Sequence, residues 1–142
     1  MIVKTSAIYL MIIVLTMVGS TQLYTFIMQQ RDPIVYHRTW TTTPEVKIGG
    51  LVDLHYDLTR LRACRTDVSM VVEEEETHRA VRRENFTGAA RSTGHYFDIP
   101  ISLQLPPPDK VGCYLETTVA VNYCNEGQHI IAAPPIRFCV VE

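Results

Sequence analysis

Leu51-Val-Asp-Leu-His-Tyr-Asp-Leu58 alternates with period two: Val52, Leu54, Tyr56 and Leu58 on one side, Asp53, His55 and Asp57 on the other. Successive side chains of a strand point to opposite faces, so this run reads as a strand with one buried and one wet face. The period recurs downstream. In Tyr96–Leu105 the set Phe97, Ile99, Ile101, Leu103 and Leu105 alternates with Asp98, Ser102 and Gln104. In Cys113–Cys124 the set Leu115, Val119, Val121 and Tyr123 alternates with Glu116 and Asn122, which predicts an apolar inner face made by the first set.

Shorter candidates are Ile34–Trp40, Val68–Glu75, Ala80–Phe86 and Ile136–Val141. Pro44, Gly49-Gly50, Gly94, the Pro106-Pro107-Pro108 turn and the stretch Asn125–Pro135 separate the strands. Seven or so strands in about 110 residues predict an all-β domain, an immunoglobulin-like antiparallel β-sandwich, with a partly open barrel as the alternative. In chain order they take the places A (Ile34–Trp40), B (Leu51–Leu61), C (Val68–Glu75), C′ (Ala80–Phe86), E (Tyr96–Leu105), F (Cys113–Cys124) and G (Ile136–Val141). Asp109-Lys-Val-Gly-Cys-Tyr114 resembles the turn into strand F of such domains, where a tyrosine ties the corner.

The first thirty residues differ in kind. Of 13 Lys and Arg and 15 Asp and Glu, only Lys4 precedes Arg31, and a mean hydropathy of +0.05 averages over that division. Ala7–Met28 carries no charge, and about 20 apolar residues cross the ~30 Å hydrocarbon core. Residues 1–6 are then a cytoplasmic N-terminus, 7–28 a transmembrane signal-anchor helix, 29–33 a linker and 34–142 an exported β-sandwich domain, with Lys4 setting the orientation. This predicts a bacterial inner-membrane location with a periplasmic C-terminal domain. The alternative is a cleaved signal peptide ending near Val18-Gly19-Ser20, which releases the same domain.

Four cysteines allow three pairings. In the predicted topology strands B and F run the same way, so Cys64, just past B, meets Cys124 at the end of F. Cys113 and Cys139 lie toward the other end, either bonded or as free thiols. The remaining pairings would span much of a strand, far beyond the ~7 Å between alpha carbons that a disulfide tolerates.

The residues after 30 carry a slight acid excess, which argues against a nucleic-acid partner. His37, His55, His78, His95 and His129 are scattered singly, and there is no phosphate-binding glycine motif or nucleophile elbow, so no enzyme, cofactor or metal is expected. Glu73, Glu74, Glu75 and Glu76, followed by Arg79, Arg82 and Arg83, read as a C–C′ hairpin with opposite charges across the strands, or as an acidic tip for a basic partner. If a short linker holds one end of the sandwich at the bilayer, the loops there carry Arg60, Arg62, Arg65, Ile130 and Ile131, an apolar and cationic set suited to lipid.

The Arg60-Leu-Arg62-Ala-Cys64 end of B, the Pro44-Glu-Val-Lys-Ile-Gly-Gly50 turn before it and Tyr123-Cys124-Asn125 ending F complete the pattern. With these motifs the chain resembles a group of uncharacterised membrane-anchored proteins of tailed bacteriophages, in which a hydrophobic N-terminal segment precedes a β-rich domain. That resemblance implies phage origin and carries no activity. The expected function is a non-catalytic binding module anchored to the bilayer by its N-terminal helix, with a protein partner in the envelope. The alternative is a structural component of the envelope or virion that assembles laterally.

Overall fold

Among the described residues nine strands form where patterning alone gives seven, and the two additional ones lie in segments that read as turns. The computed structural model describes residues 2–29, 31–88, 91–105 and 110–142, with side chains described outside 2–10 and 28–29. The Pro106–Pro108 turn, Asp109 and the side chain of Lys4 lie outside the described residues.

The chain divides into two units, Met1–Arg31 and Asp32–Glu142. The first is one helix, α1 (Ile2–Gln29). Its interior hydroxyls return to carbonyls one turn back: Thr16 to Ile13 at 2.8 Å, Ser20 to Met17 at 2.9 Å, Thr21 to Val18 at 2.9 Å and Thr25 to Gln22 at 2.8 Å. Among the described residues, however, no helix is long and apolar enough to cross a membrane. Thr16, Ser20, Thr21, Gln22 and Thr25 interrupt the apolar run of the described side chains of α1. The expected transmembrane anchor, the lipid partner and the inner-membrane location are therefore withdrawn.

The second unit is built from β1 (Ile34–Thr41), β2 (Glu45–Lys47), β3 (Leu51–Arg60), β4 (Arg65–Glu74), β5 (Ala80–Gly88), β6 (Gly94–Gln104), β7 (Gly112–Cys124), β8 (Gly127–Ala132) and β9 (Ile136–Val141). One sheet has the order β1-β3-β6; the other has the order β2-β9-β7-β4-β5, with β8 also paired to β7. The chain changes sheet between β1 and β2, at Pro44, whose carbonyl accepts the Cys139 amide at 2.8 Å; β2 then runs parallel to β9. Gly49, at φ +77°, turns β2 back into β3. The turn is tight enough that a Cβ on Gly50 would come within 2.5 Å of Val46 Cγ2.

Val52, Leu54 and Tyr56 of β3 face inward as their period requires, and pack with Leu103 from their own sheet and with Met70, Val72, Phe138 and Val140 from the other. Two strands depart from expectation. On β6 the register slips between Tyr56 and Leu58 of its partner, which turns Phe97 outward, 72% exposed, while Ile99, Ile101 and Leu103 stay inside. On β7 the faces are reversed: Tyr114, Glu116, Thr118, Ala120 and Asn122 are buried, whereas Leu115, Val119 and Val121 are half-buried. A period of two shows that faces alternate, but the pairing with β4, β8 and β9 decides which face turns in.

Both disulfides form within the larger sheet. Cys64–Cys124 joins the start of β4 to the end of β7, with alpha carbons 4.9 Å apart, and Cys113–Cys139 links directly paired residues of β7 and β9 at 4.0 Å. At the corner into β7, the Tyr114 hydroxyl donates to the Lys110 carbonyl at 2.8 Å.

Candidate functional site

Beyond Leu54 the two sheets separate and leave a cavity of about 400 Å³ between them. Its walls come from β1, β3 and β6 on one side and from β4, β5 and β7 on the other. Ile34, Leu58, Val68, Phe86, Ile99 and Ile101 supply apolar surface, and Tyr36, Tyr56, Arg60, Thr66, Arg91, Tyr96 and Thr118 supply the polar groups. The β3 period places Arg60 in line with Val52, Leu54, Tyr56 and Leu58, so a guanidinium occupies a position that alternation assigns to the interior.

Arg60 is 7% exposed. It donates to the Cys64 carbonyl and to the Thr66 hydroxyl, both at 3.0 Å, and Thr66 in turn donates to Asn122 at 2.7 Å. Burial lowers the Arg60 pKa, and the charge of Arg91 pushes in the same direction. On the β7 side, fully buried Glu116 accepts from Thr118 at 2.5 Å, and Thr118 lies 3.2 Å from the Tyr56 hydroxyl. Glu116 Oε2 has no hydrogen-bond partner among the described residues. Burial raises the Glu116 carboxyl above its ordinary value, and burial also raises the Tyr56 phenol and takes Tyr36 up to about 12. Of these groups the sequence points to Arg60 alone, and there as part of a lipid-facing loop; the buried face of β7 that carries Glu116 and Thr118 is the one that hydrophobicity assigns to solvent.

The outer face of the three-stranded sheet gathers residues that looked scattered. His55 pairs with Asp98 and lies 3.3 Å from Thr42; His95 pairs with Asp57 at 2.5 Å; His37 lies 2.7 Å from Thr59. Trp40 stacks on His55 with centroids 5.2 Å apart, and the Arg38 guanidinium sits 5.0 Å over Trp40. The register shifts in both strand pairs fall at this level, and Asp98 sits at φ +54°, a strained backbone for a residue other than glycine. Asp53-x-His55-x-Asp57 was the available signal, since period two puts all three on one face.

The other expected site residues are accounted for within the chain. Arg62 pairs with Glu126 and lies 3.1 Å from His129, and Arg65 sits 4.5 Å over the Tyr123 ring. Ile130 and Ile131 are on strand β8, paired with Val121 and Ala120, so they point to opposite faces; Ile130 is 68% exposed and Ile131 half-buried. At the acidic tip, Glu74 accepts from Thr77 at 2.6 Å and from Arg79 at 3.1 Å, and Glu75 is gripped by Arg137 at 2.9 Å. Hydrogen bonding, from Thr77 and Arg137 respectively, holds both carboxyls below their ordinary value. The expected charge pairing across the hairpin is made by Glu74 with Arg79, whereas Glu73 lies opposite Ala80 and Arg82 turns to Glu84 on its own strand. Cys124, Glu126 and His129 bring donor atoms within 4.8 Å of one another, but Cys124 is spent in the disulfide and Glu126 in its ion pairs.

No family model matches the chain, and no curated protein matches it. Among solved structures it is similar to the Pseudomonas fluorescens alkylpurine DNA glycosylase AlkC bound to DNA containing an abasic site analog, with a TM-score of 0.49 and 12% identity over 78% of this chain. This chain spans 31% of that protein's length. That neighbour is an enzyme bound to DNA, and the outright exclusion of catalysis and of nucleic acid drawn from composition and motifs is withdrawn. At this TM-score the likeness carries no argument for either property in this chain.

Proposed function

We propose that the chain is a binding module built on an immunoglobulin-like β-sandwich, and that its ligand occupies the cavity between the sheets. The orders β1-β3-β6 and β2-β9-β7-β4-β5 correspond to A-B-E and A′-G-F-C-C′ of such sandwiches, and the Tyr114–Lys110 bond is the corner those domains make. The carrying observation is a largely apolar cavity of about 400 Å³ on which Tyr36, Tyr56, Arg60 and nearby Glu116, each with a pKa shifted by burial, converge. Ligand pockets run from about 300 to 1,000 Å³ and combine apolar walls with a few placed polar groups. Titratable groups shifted by burial and by neighbouring charges inside a cleft are candidates for a functional site.

The test is titration of the full chain with the neutral dye N-phenyl-1-naphthylamine, beside the cavity-filling variant Val68→Phe, with circular dichroism to show that both are folded. The expected outcome is saturable one-to-one binding, weakened about tenfold in the variant. Absence of saturable binding, or equal binding by both proteins, ends this reading.

A further inference from the structure

We propose that the cavity takes an amphipathic anion, with a carboxylate or phosphate head at Arg60 and Arg91 and an unbranched apolar tail along Leu58, Val68, Ile99 and Ile101. The inference rests on the reading of the cavity as a ligand site and adds the chemical class of the ligand.

Charge complementarity carries it. Arginine is almost never fully buried unless it is paired, because a desolvated cation without an anion is costly. Arg60 is nearly buried, yet its two acceptors, the Cys64 carbonyl and the Thr66 hydroxyl, are neutral. Among the described residues the ion pairs are made by Arg62, Arg65, Arg79, Arg82, Arg137 and three histidines, and none by Arg60 or Arg91. Arg91 lines the same cavity and is exposed, so it adds a second positive charge where the first already lacks a counterion. Glu116 is not the missing counterion, since its hydrogen bonds come from Thr118 and Tyr56 and none from Arg60. One oxyanion between the two guanidiniums would relieve both, in the forked geometry that arginine offers to carboxylate and phosphate.

The rest of the wall selects the tail. Beyond Thr66 and the tyrosine and Thr118 hydroxyls the surface is aliphatic or aromatic, from Ile34 and Leu58 across to Phe86 and Ile101. A sugar or nucleotide would leave hydroxyls unpaired against these side chains, whereas an alkyl chain loses nothing there and leaves water.

The experiment displaces the bound neutral dye from the full chain with four ligands of one chain length, each below its micelle concentration: dodecanoate, dodecyl phosphate, dodecanol and dodecyltrimethylammonium. At least one anion is expected to displace the dye at a concentration about tenfold lower than dodecanol, as a charge-assisted hydrogen bond implies, with the cation no better than the alcohol. The stronger of the two anions identifies the head. Exposed Arg91→Gln is expected to shrink the anion advantage about threefold and leave dodecanol unchanged, and Arg60→Gln to remove most of the remainder, with Arg60→Lys restoring part of it. Equal displacement by anions and alcohol, or an anion advantage untouched by both glutamine variants, overturns the inference while the dye result still supports a ligand cavity. Failure of the dye itself to bind removes the cavity reading and this inference together.

Discussion

The space between the two sheets is filled at one end and open at the other, and β3 runs through both. At the filled end Val52 and Leu54 meet Val72, Phe138 and Val140, and every one of these side chains is at most 2% exposed. At the open end the same face of the same strand continues as Tyr56, Leu58 and Arg60, and meets Thr66, Val68 and Thr118 across the cavity. Strand period alone does not distinguish the ends. The difference lies in the opposing strand: β7 buries Tyr114 where β9 supplies Phe138 and Val140, and past Glu116 it buries Thr118, Ala120 and Asn122, too small or too polar to fill the gap. Close packing needs volume from both sheets, and here only one provides it over half the length.

The largest test of this contrast uses the two disulfides, one at each end. Chain entropy gives about 4 kcal/mol for the Cys64–Cys124 bond and about 3.5 kcal/mol for Cys113–Cys139, from sequence separations of 60 and 26 residues. Paired Cys→Ala variants, compared by urea unfolding, are expected to lose stability in that order. Only the Cys64/Cys124 pair is expected to weaken ligand binding as well, because the Cys64 carbonyl holds Arg60. Weakened binding in both pairs would mean that the two halves behave as one unit.

Next in size are two truncations on the same strand face. Leu54→Ala leaves a hole among fully packed neighbours and is expected to cost about 3 kcal/mol. Leu58→Ala enlarges a space already open and is expected to cost about 1 kcal/mol, since less area leaves water there on folding. Equal losses in urea unfolding would mean that the open half closes in solution.

How much of this was legible follows from the same contrast. The inward set of β3 could be read from Leu51–Leu58 because its apolar residues all fall on one side. On β7 the sequence offered Leu115, Val119 and Val121 against Glu116, Thr118 and Asn122, and hydrophobicity pointed to the wrong side: pairing with β4 sets the face, and burial of a glutamate is a local cost that composition cannot reveal. Phe97 was misplaced for a related reason, since one register shift beside Asp98 turns it outward. The two additional strands, β2 and β8, each consist mainly of residues that patterning assigned to turns; β2 finds its partner β9 far along the chain, whereas β8 folds straight back on β7 through Asn125 and Glu126. The histidine array had a local trace in Asp53-x-His55-x-Asp57, but His37, His95 and Asp98 reach it only through sheet pairing.

The smallest expected effect concerns Glu116, which sits where the halves join. Its folded-state pKa is raised above the ordinary 4.5 by burial, partly offset by the Thr118 and Tyr56 hydrogen bonds. A folded state that holds the proton more tightly than the unfolded chain gains stability from this group below pH about 4.5 and loses it as pH climbs through the raised value. Glu74 and Glu75 act in the opposite sense, because their lowered values give stability that is lost on acidification. Comparing the wild type with Glu116→Gln cancels those two contributions and leaves Glu116 with its facing groups Tyr36 and Tyr56, which stay protonated across the range. The amide can still accept the Thr118 hydrogen bond and does not ionise, so the Tm of the wild type relative to the variant is expected to fall as pH rises above about 4.5. Parallel Tm curves would mean that water reaches the carboxyl from the open end and solvates its charge, and the boundary between the filled and open halves would then lie on the far side of Glu116, toward Tyr114.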